Sequence, residues 1–201
     1  MSEQPTVFVV DDDDALRDSI LWLLESVGLN AEMYPTANDF LKACNPERSG
    51  CLLLDVRMPG MSGMELLERL KANNVLLPVI ITGHGDVPMA VRAIKSGALD
   101  FIQKPFNGQD LLDRVQYALQ LDQENRLKRS EISHLRAHFD TLTPREREIM
   151  EHVTAGKSSK IIARDLGISA KTVDIHRANI MKKLQVHSVA DLIQTKLALR
   201  S

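Results

Sequence analysis

Asp55 follows three apolar residues, Leu52-Leu53-Leu54, and precedes Val56-Arg57-Met58-Pro59-Gly60. The apolar run reads as a buried strand. Met-Pro-Gly ends it, because Pro lacks the donor a strand needs and Gly permits turn geometry. A carboxylate so placed sits at the carboxyl end of a buried strand, where open parallel α/β sheets bind ligands. Taken alone, an Asp after a strand is more often a turn former or a helix cap. Asp55 is not alone. Asp11 and Asp12 end the run Thr6-Val7-Phe8-Val9-Val10, Thr82 ends Pro78-Val79-Ile80-Ile81, and Lys104 comes just after Asp100-Phe101-Ile102. Carboxylates, a hydroxyl and an amine after four separate apolar runs form a far more specific signal than any one of them.

The chemistry of such a set is readable. Clustered carboxylates raise one another's pKa unless a cation sits among them. Oxygen ligands with room for water suit Mg²⁺. A carboxylate can act as a nucleophile toward phosphorus, giving an acyl phosphate. A metal ion, the Thr82 hydroxyl and the Lys104 ammonium would then neutralise the transferring phosphoryl oxygens. Asp13 and Asp14 read instead as charges at a helix N-terminus, favoured by the macrodipole. Lys104 in isolation would be a surface lysine. Its place before Pro105 argues otherwise, since X-Pro after a strand fixes an unusual turn and is a candidate for a cis bond.

The elements that must position these groups follow from hydrophobic patterning. Strands are expected over Thr6–Val10, Ala31–Tyr34, Cys51–Leu54, Pro78–Ile81 and Asp100–Ile102. The first helix carries Leu16, Ile20, Leu23, Leu24 and Val27 on one face and closes at Gly28. Ala37–Cys44 is a short helix with Phe40 and Leu41 inward. Ser62 and Glu65 form a capping box for a helix bearing Leu66, Leu67 and Leu70. Asp86–Ser96 is a helix closed by Gly97, and a last helix starts near Gly108. Strand–helix alternation repeated five times predicts an α/β fold. The right-handed crossover rule makes it a doubly wound, five-stranded parallel sheet. A strand order 2-1-3-4-5 is compatible with the pattern but does not follow from it.

The 201 residues carry a formal charge of only −2, with 44% hydrophobic and 26% charged residues, which fits an ordinary globular protein. That average hides a split. Residues 1–122 hold 10 Lys+Arg against 18 Asp+Glu, a formal −8, whereas residues 123–201 hold 15 against 9, a formal +6. An acidic half joined to a basic half predicts two domains, the second with a polyanionic partner. No stretch is long and apolar enough to span a membrane. The polar start Met1-Ser2-Glu3-Gln4-Pro5 does not read as a secretory signal. Cys44 and Cys51 suggest neither a disulfide framework nor a zinc site. They read as buried free thiols, and the expected location is cytoplasmic.

Between the halves, Gln123–Arg129 is polar and charged, while Leu119, Leu127, Ile132, Leu135 and Phe139 recur at helical spacing. This predicts a helical linker over 122–139, either a solvated helix or one with a weak coiled-coil seam. The basic end opens on Leu142-Thr143-Pro144-Arg145-Glu146, a capping box with Pro at the first helical position. Ile149, Met150 and Val153 form that helix's apolar face, and Gly156 ends it. A short helix follows over Ser158–Leu166, with Ile161, Ile162 and Leu166 inward. Gly167 turns the chain, and Ser169 caps a third helix through Leu184 with Val173, Ile180 and Leu184 inward. Val189–Leu199 is a fourth. A short helix, a Gly-containing turn and a longer helix make the helix-turn-helix outline.

These stretches resemble a known family. Val-Val-Asp11-Asp12, Leu-Leu-Asp55-Val-Arg-Met-Pro-Gly-Met-Ser-Gly, Ile-Thr82-Gly-His-Gly and Lys104-Pro105-Phe106 match, in order, the motifs of the receiver domain of two-component response regulators over residues 6–121. Residues 140–199 resemble the LuxR-type four-helix DNA-binding domain. Together they are similar to a FixJ/NarL-type regulator, nearer the FixJ side. The resemblance implies a flavodoxin-like receiver over 1–121, a linker over 122–139 and an all-α four-helix, helix-turn-helix domain over 140–201. It implies that Asp55 accepts phosphate from a sensor histidine kinase, with Thr82 and Lys104 assisting. It also implies Mg²⁺ held by Asp12, Asp55 and the Arg57 carbonyl, with Asp11 acting through water, and Thr82 and Phe101 as a switch pair. Phe101 stands where many relatives carry Tyr, so no hydroxyl is available to hold its inward state.

On the third basic-end helix, Lys171, Asp174, Ile175, Ala178 and Lys182 share the expected solvent face. Recognition helices enter the major groove with their N-terminal part. Asp174 can accept from a cytosine amine, and Ile175 or Ala178 can touch a thymine methyl. Thr172 lies among them. Lys160, Lys171, Arg177 and Lys182 read as phosphate contacts, giving register and salt dependence. His176 reads either as a phosphate contact or as a packing residue. On the acidic half, Val91, Ile94 and Lys95 are expected contacts of a homodimer formed on phosphorylation. RNA polymerase is a further candidate partner. An aspartyl-phosphate phosphatase would need an acid/base carboxylate two residues after the nucleophile, where Arg57 stands. A constitutive architectural DNA-binding protein would need none of Asp11, Asp12, Asp55, Thr82 and Lys104. RNA as the polyanion is disfavoured by the recognition helix.

Overall fold

A computed structural model describes residues 4–45, 48–71, 77–83 and 87–199. The chain divides into two units, residues 1–125 and 126–201. In the first, β1 (Thr6–Val10), β2 (Asn30–Tyr34), β3 (Gly50–Asp55), β4 (Leu77–Thr82) and β5 (Asp100–Gln103) alternate with α1 (Asp14–Ser26), α2 (Ala37–Ala43), α3 (Gly63–Lys71), α4 (Val87–Lys95) and the first half of α5 (Gly108–Asp140), whose remaining residues belong to the second unit. The strands form one sheet in the order β2-β1-β3-β4-β5. Every neighbouring pair is parallel. The expected doubly wound parallel sheet is therefore present, in the order that the pattern allowed.

Alternation along the strands builds two cores. Phe8, Val10, Leu52, Leu54 and Ile80 pack against Phe40 of α2, Leu66, Leu67 and Leu70 of α3 and Ala93 of α4. Val7, Val9, Leu53, Val79, Ile81 and Ile102 pack on the other face against Ile20 and Leu24 of α1 and Leu111 and Val115 of α5. Leu52, Leu53 and Leu54 are all fully buried. Each contributes about 1.5–3 kcal/mol by leaving water, so the central strand is anchored on both faces. Asp55 takes its place at the strand end from these buried neighbours and from its pairing with Ile81 of β4.

Caps mark the helix starts, and Asp13, read in the sequence only as a helix-terminal charge, is one of them. Asp13 caps α1 by accepting from the Leu16 N–H. Ser62 and Glu65 exchange their reciprocal bonds before α3. One expectation fails in α1. Val27 is exposed rather than inward. It is the C-cap, with non-helical φ and ψ, and has left the apolar stripe. The expected start of α4 at Asp86, and the neighbouring His84 and Gly85, lie outside the described residues.

The second unit contains α6 (Pro144–Thr154), α7 (Ser159–Leu166), α8 (Ala170–Lys183) and α9 (Val189–Ala198). Leu142, Ile149, Met150, Val153, Ile162, Val173, Ile180, Leu184 and Leu192 form its core. Thr143 and Glu146 make the expected capping box, with Pro at the helix start. Ile161 departs from expectation and is exposed. The inward stripe of α7 is Ile162, Ala163 and Leu166, and one residue before that stripe the 100° helical step turns Ile161 outward.

Two candidate sites, one acidic and one basic

At the carboxyl edge of the sheet, Asp11 and Asp55 are buried and Asp12 is exposed. One oxygen from each of the three lies within 4.8 Å of the others, close enough to share a metal ion. Lys104 Nζ donates to Asp11 Oδ2 at 2.7 Å. It also lies 3.4 Å from Asp55 Oδ1. The loop after β5 delivers this lysine. Its N–H donates to the Thr82 carbonyl at 2.8 Å, and the Lys104–Pro105 bond is cis. Burial pushes the Asp55 carboxyl above its ordinary pKa, the Lys104 ammonium pulls it down, and the Asp11 charge pushes it up again, with a net rise.

Thr82 is fully buried at the end of β4. It lies two residues beyond Ile80, on the face where Phe101 packs half-buried. β5 sets Phe101 opposite Ile80 and Gln103 opposite Thr82, so the two expected switch residues occupy adjacent strands on one face. Arg57 is exposed, in a loop held by Val56. The Val56 N–H donates to the Ile81 carbonyl at 3.3 Å, and the Gly63 N–H donates to the Val56 carbonyl at 3.0 Å. On α4, Val91, Ile94 and Lys95 are all exposed.

Sequence reasoning missed Arg17. Its Nη1 donates to the Asp11 carbonyl at 2.6 Å, and it also pairs with Asp14. The helical spacing of Arg17 from Asp13 and Asp14 was the available signal. That spacing cannot show that the guanidinium turns back to the strand end.

In the second unit, Gly167 closes α7 in the left-handed region, at φ +66°. Ser169 caps α8 by accepting from the Thr172 N–H. Lys160, Lys171, Asp174, Ile175, Ala178 and Lys182 are exposed. Two of the expected DNA contacts are already engaged within the protein. The Thr172 hydroxyl shares a 2.7 Å hydrogen bond with that of Ser169, and Arg177 Nη1 donates to Ser159 Oγ at 3.2 Å. Part of the basic excess is likewise internal. Lys157 pairs with Asp165, Lys183 with Glu146 and Lys196 with Glu151. The lysines that remain exposed around α8 are those able to meet phosphates.

No helix among the described residues is long and apolar enough to cross a membrane. Residues 7–116 match the model of the response regulator receiver domain, and residues 140–195 match that of the bacterial regulatory proteins of the luxR family. The chain is 43% identical to nodulation protein W of Bradyrhizobium diazoefficiens, over 96% of its own length and 86% of the relative's. It is 41% identical to the transcriptional regulatory protein FixJ of the same organism, over 100% and 98% of the two chains. The solved structure of the response regulator StyR superimposes with a TM-score of 0.86 at 47% identity, covering 96% of this chain and 98% of that one.

Proposed function

Because the chain belongs to the response regulators that join a receiver domain to a LuxR-type DNA-binding domain, and so is a transcription regulator, we propose that phosphoryl transfer to Asp55 controls its binding to DNA. The observation that carries this reading is the setting of Asp55. It is a buried carboxylate at a strand end, 3.4 Å from the Lys104 ammonium and grouped with Asp11 and Asp12. The phosphodonor is a phosphohistidine of a sensor histidine kinase. An Asp55 oxygen attacks phosphorus, the new P–O bond forms as the P–N bond breaks, and the imidazole leaves.

The oxygen-only donor set fits a hard divalent cation, and Mg²⁺ is the group it suits. Asp11, Asp12, Asp55 and the Arg57 carbonyl would hold it, and when bound it neutralises phosphoryl oxygens. The chain's own residues do the rest. Lys104 offers a second positive charge to the acyl phosphate. Thr82 offers a hydroxyl donor. Phosphorylation adds roughly −2 charge at this point. Thr82 turns toward the phosphate, and Phe101 shifts into the space that Thr82 leaves. The surface of α4 and β5 is reshaped there, and Val91, Ile94 and Lys95 meet a second copy of the chain. Two α8 helices in such a dimer read half-sites about one helical turn apart. The working division is a receiver over 1–121, a linker over 122–139 and a DNA-binding domain over 140–201. The regulator acts in the cytoplasm, with RNA polymerase as its downstream partner.

The test compares wild type with Asp55→Asn, each with Mg²⁺, with and without a small acyl phosphate. Sedimentation reports the dimer, and binding to genomic fragments reports DNA. The expected result is that the phosphodonor tightens both in wild type and neither in the variant. Equal DNA binding by both proteins regardless of phosphodonor would overturn the switch and favour a constitutive DNA-binding protein.

A further inference from the structure

The exposed face of α8 combines groups that do not ordinarily approach a polyanion together. Lys171 and Lys182 stand toward its two ends, and between them lie Asp174, Ile175 and Ala178, all exposed. Ile175 is 54% exposed, unusual for so large an apolar side chain in a helix whose Val173 and Ile180 are buried. Two further polar groups of the helix are engaged within the protein, Thr172 near its start by Ser169 and Arg177 at its middle by Ser159. Among the described residues no partner engages the Asp174 carboxylate. A carboxylate facing phosphates is repelled by them. It becomes favourable only by accepting from a base amine, and the major groove offers two, cytosine N4 and adenine N6. Adenine sets the N7 acceptor beside its amine, which repels a carboxylate. Cytosine carries the amine without an acceptor of its own there. Ile175 is the next residue, and Ala178 lies one turn from Asp174 on the same face. Their methyl groups can contact the C5-methyl of thymine.

We propose that Asp174 selects cytosine at one position of each half-site, and that Ile175 and Ala178 select thymine beside it. This rests on the reading of the second unit as a duplex-DNA binder. Lys171 and Lys182 supply sequence-independent affinity, and the specificity lies in one acceptor and two apolar contacts.

The test is selection from a random duplex library by the full chain, with Mg²⁺ and acyl phosphate, for wild type, Asp174→Asn, Asp174→Lys and Ile175→Ala. Asp174 and Ile175 are exposed, so the folded state is retained in all three variants. Wild type is expected to enrich cytosine at one position per half-site, by roughly tenfold over other bases. Asp174→Asn moves that position to adenine, which Asn grips through N6 and N7, and Asp174→Lys moves it to guanine. Ile175→Ala erases the adjoining thymine preference. Selective binding with an unchanged base preference in all three variants overturns this inference and leaves the DNA-binding reading standing. Failure of wild type to bind any duplex overturns both.

Discussion

The carboxylate of Asp122 accepts a hydrogen bond from the Gly50 N–H at 3.0 Å, across 72 positions of sequence. The same oxygen accepts from the Ser49 hydroxyl at 2.7 Å. Asp122 is buried in the middle of α5, so this pair fastens the long helix to the start of the strand that carries Asp55. Its charge also helps to push the neighbouring Cys51 thiol up to about 12, after burial has done most of it. Asp122→Ala leaves two donors without their acceptor and is expected to lower the unfolding free energy of the first unit by about 2–3 kcal/mol. Asp122→Asn keeps an acceptor oxygen and should lose about half as much. Hydrogen exchange of the buried β1 and β3 amides, which open only when the first unit unfolds, checks both.

Gly63 marks a second close approach, beneath Asp55 itself. A Cβ on Gly63 would lie 2.0 Å from the Asp55 carbonyl oxygen and 2.9 Å from its carbon, both backbone atoms that cannot swing aside. Gly63→Ala therefore displaces the strand end. It is expected to destabilise by about 1–3 kcal/mol and to slow Asp55 phosphorylation as well. Gly60→Ala is the control for local effects of the loop, because nothing lies within 4 Å of its added carbon, although its φ of +79° brings its own strain. Phosphorylation at matched folded fractions separates the two. Loss of rate in Gly63→Ala that exceeds its loss of folded protein shows displacement of the acceptor.

Much of this was legible in the chain because it is local. Apolar runs ending in Asp11, Asp55 and Thr82 give both the strand and its polar edge, since a parallel sheet buried on both faces requires continuous apolar runs. Capping boxes at Ser62 and Thr143 depend on residues three apart. Asp122 was not legible. In sequence it opens a polar, charged stretch and reads as the first residue of a linker, and only the meeting of α5 with β3 makes it a buried acceptor. Arg17 likewise gives no sign that it reaches back to the Asp11 carbonyl. Ile161 and Val27 were misplaced for a different reason. A stripe fixes the direction of a face but not its edges, and a cap or one helical step moves a residue off it.

Lys104 occupies the position of a counter-charge to both buried carboxylates. A metal ion held by Asp11, Asp12 and Asp55 must therefore share them with an ammonium. Lys104→Gln removes that competition and is expected to tighten Mg²⁺ binding by roughly threefold to tenfold, since the lost charge lay a few ångströms from the ion's ligands. The same variant loses its second cation for the acyl phosphate, so phosphodonor-driven dimerisation should fail even with Mg²⁺ saturating. Titration calorimetry with MgCl₂ and sedimentation after acyl phosphate read the two effects. Weaker Mg²⁺ binding in the variant would show that Lys104 organises the carboxylates rather than competing for them.

Glu146 gives the second unit a defined acid sensitivity. Burial pushes its carboxyl up, while the Lys183 ammonium and the Thr143 N–H and hydroxyl pull it down, and the balance lies below the ordinary value of 4.5. Lys183 Nζ donates to Glu146 Oε2 at 2.7 Å, so α6 and α8 are joined by this pair. A carboxyl whose folded-state pKa is depressed binds more protons when unfolded. Its stabilisation is fully present above 4.5 and is lost as pH falls through the lower, folded value. Glu146→Gln keeps the shape but not the charge, and at pH 7 it is expected to cost about 1–2 kcal/mol. Hydrogen exchange of the α6 amides in the full chain measures this locally, because the first unit contributes none of them. The protection difference between wild type and variant should be constant from pH 7 to about 5 and should close below 4.5. A difference that persists undiminished below that range would show that packing by the Glu146 side chain, rather than its charge, ties α6 to α8.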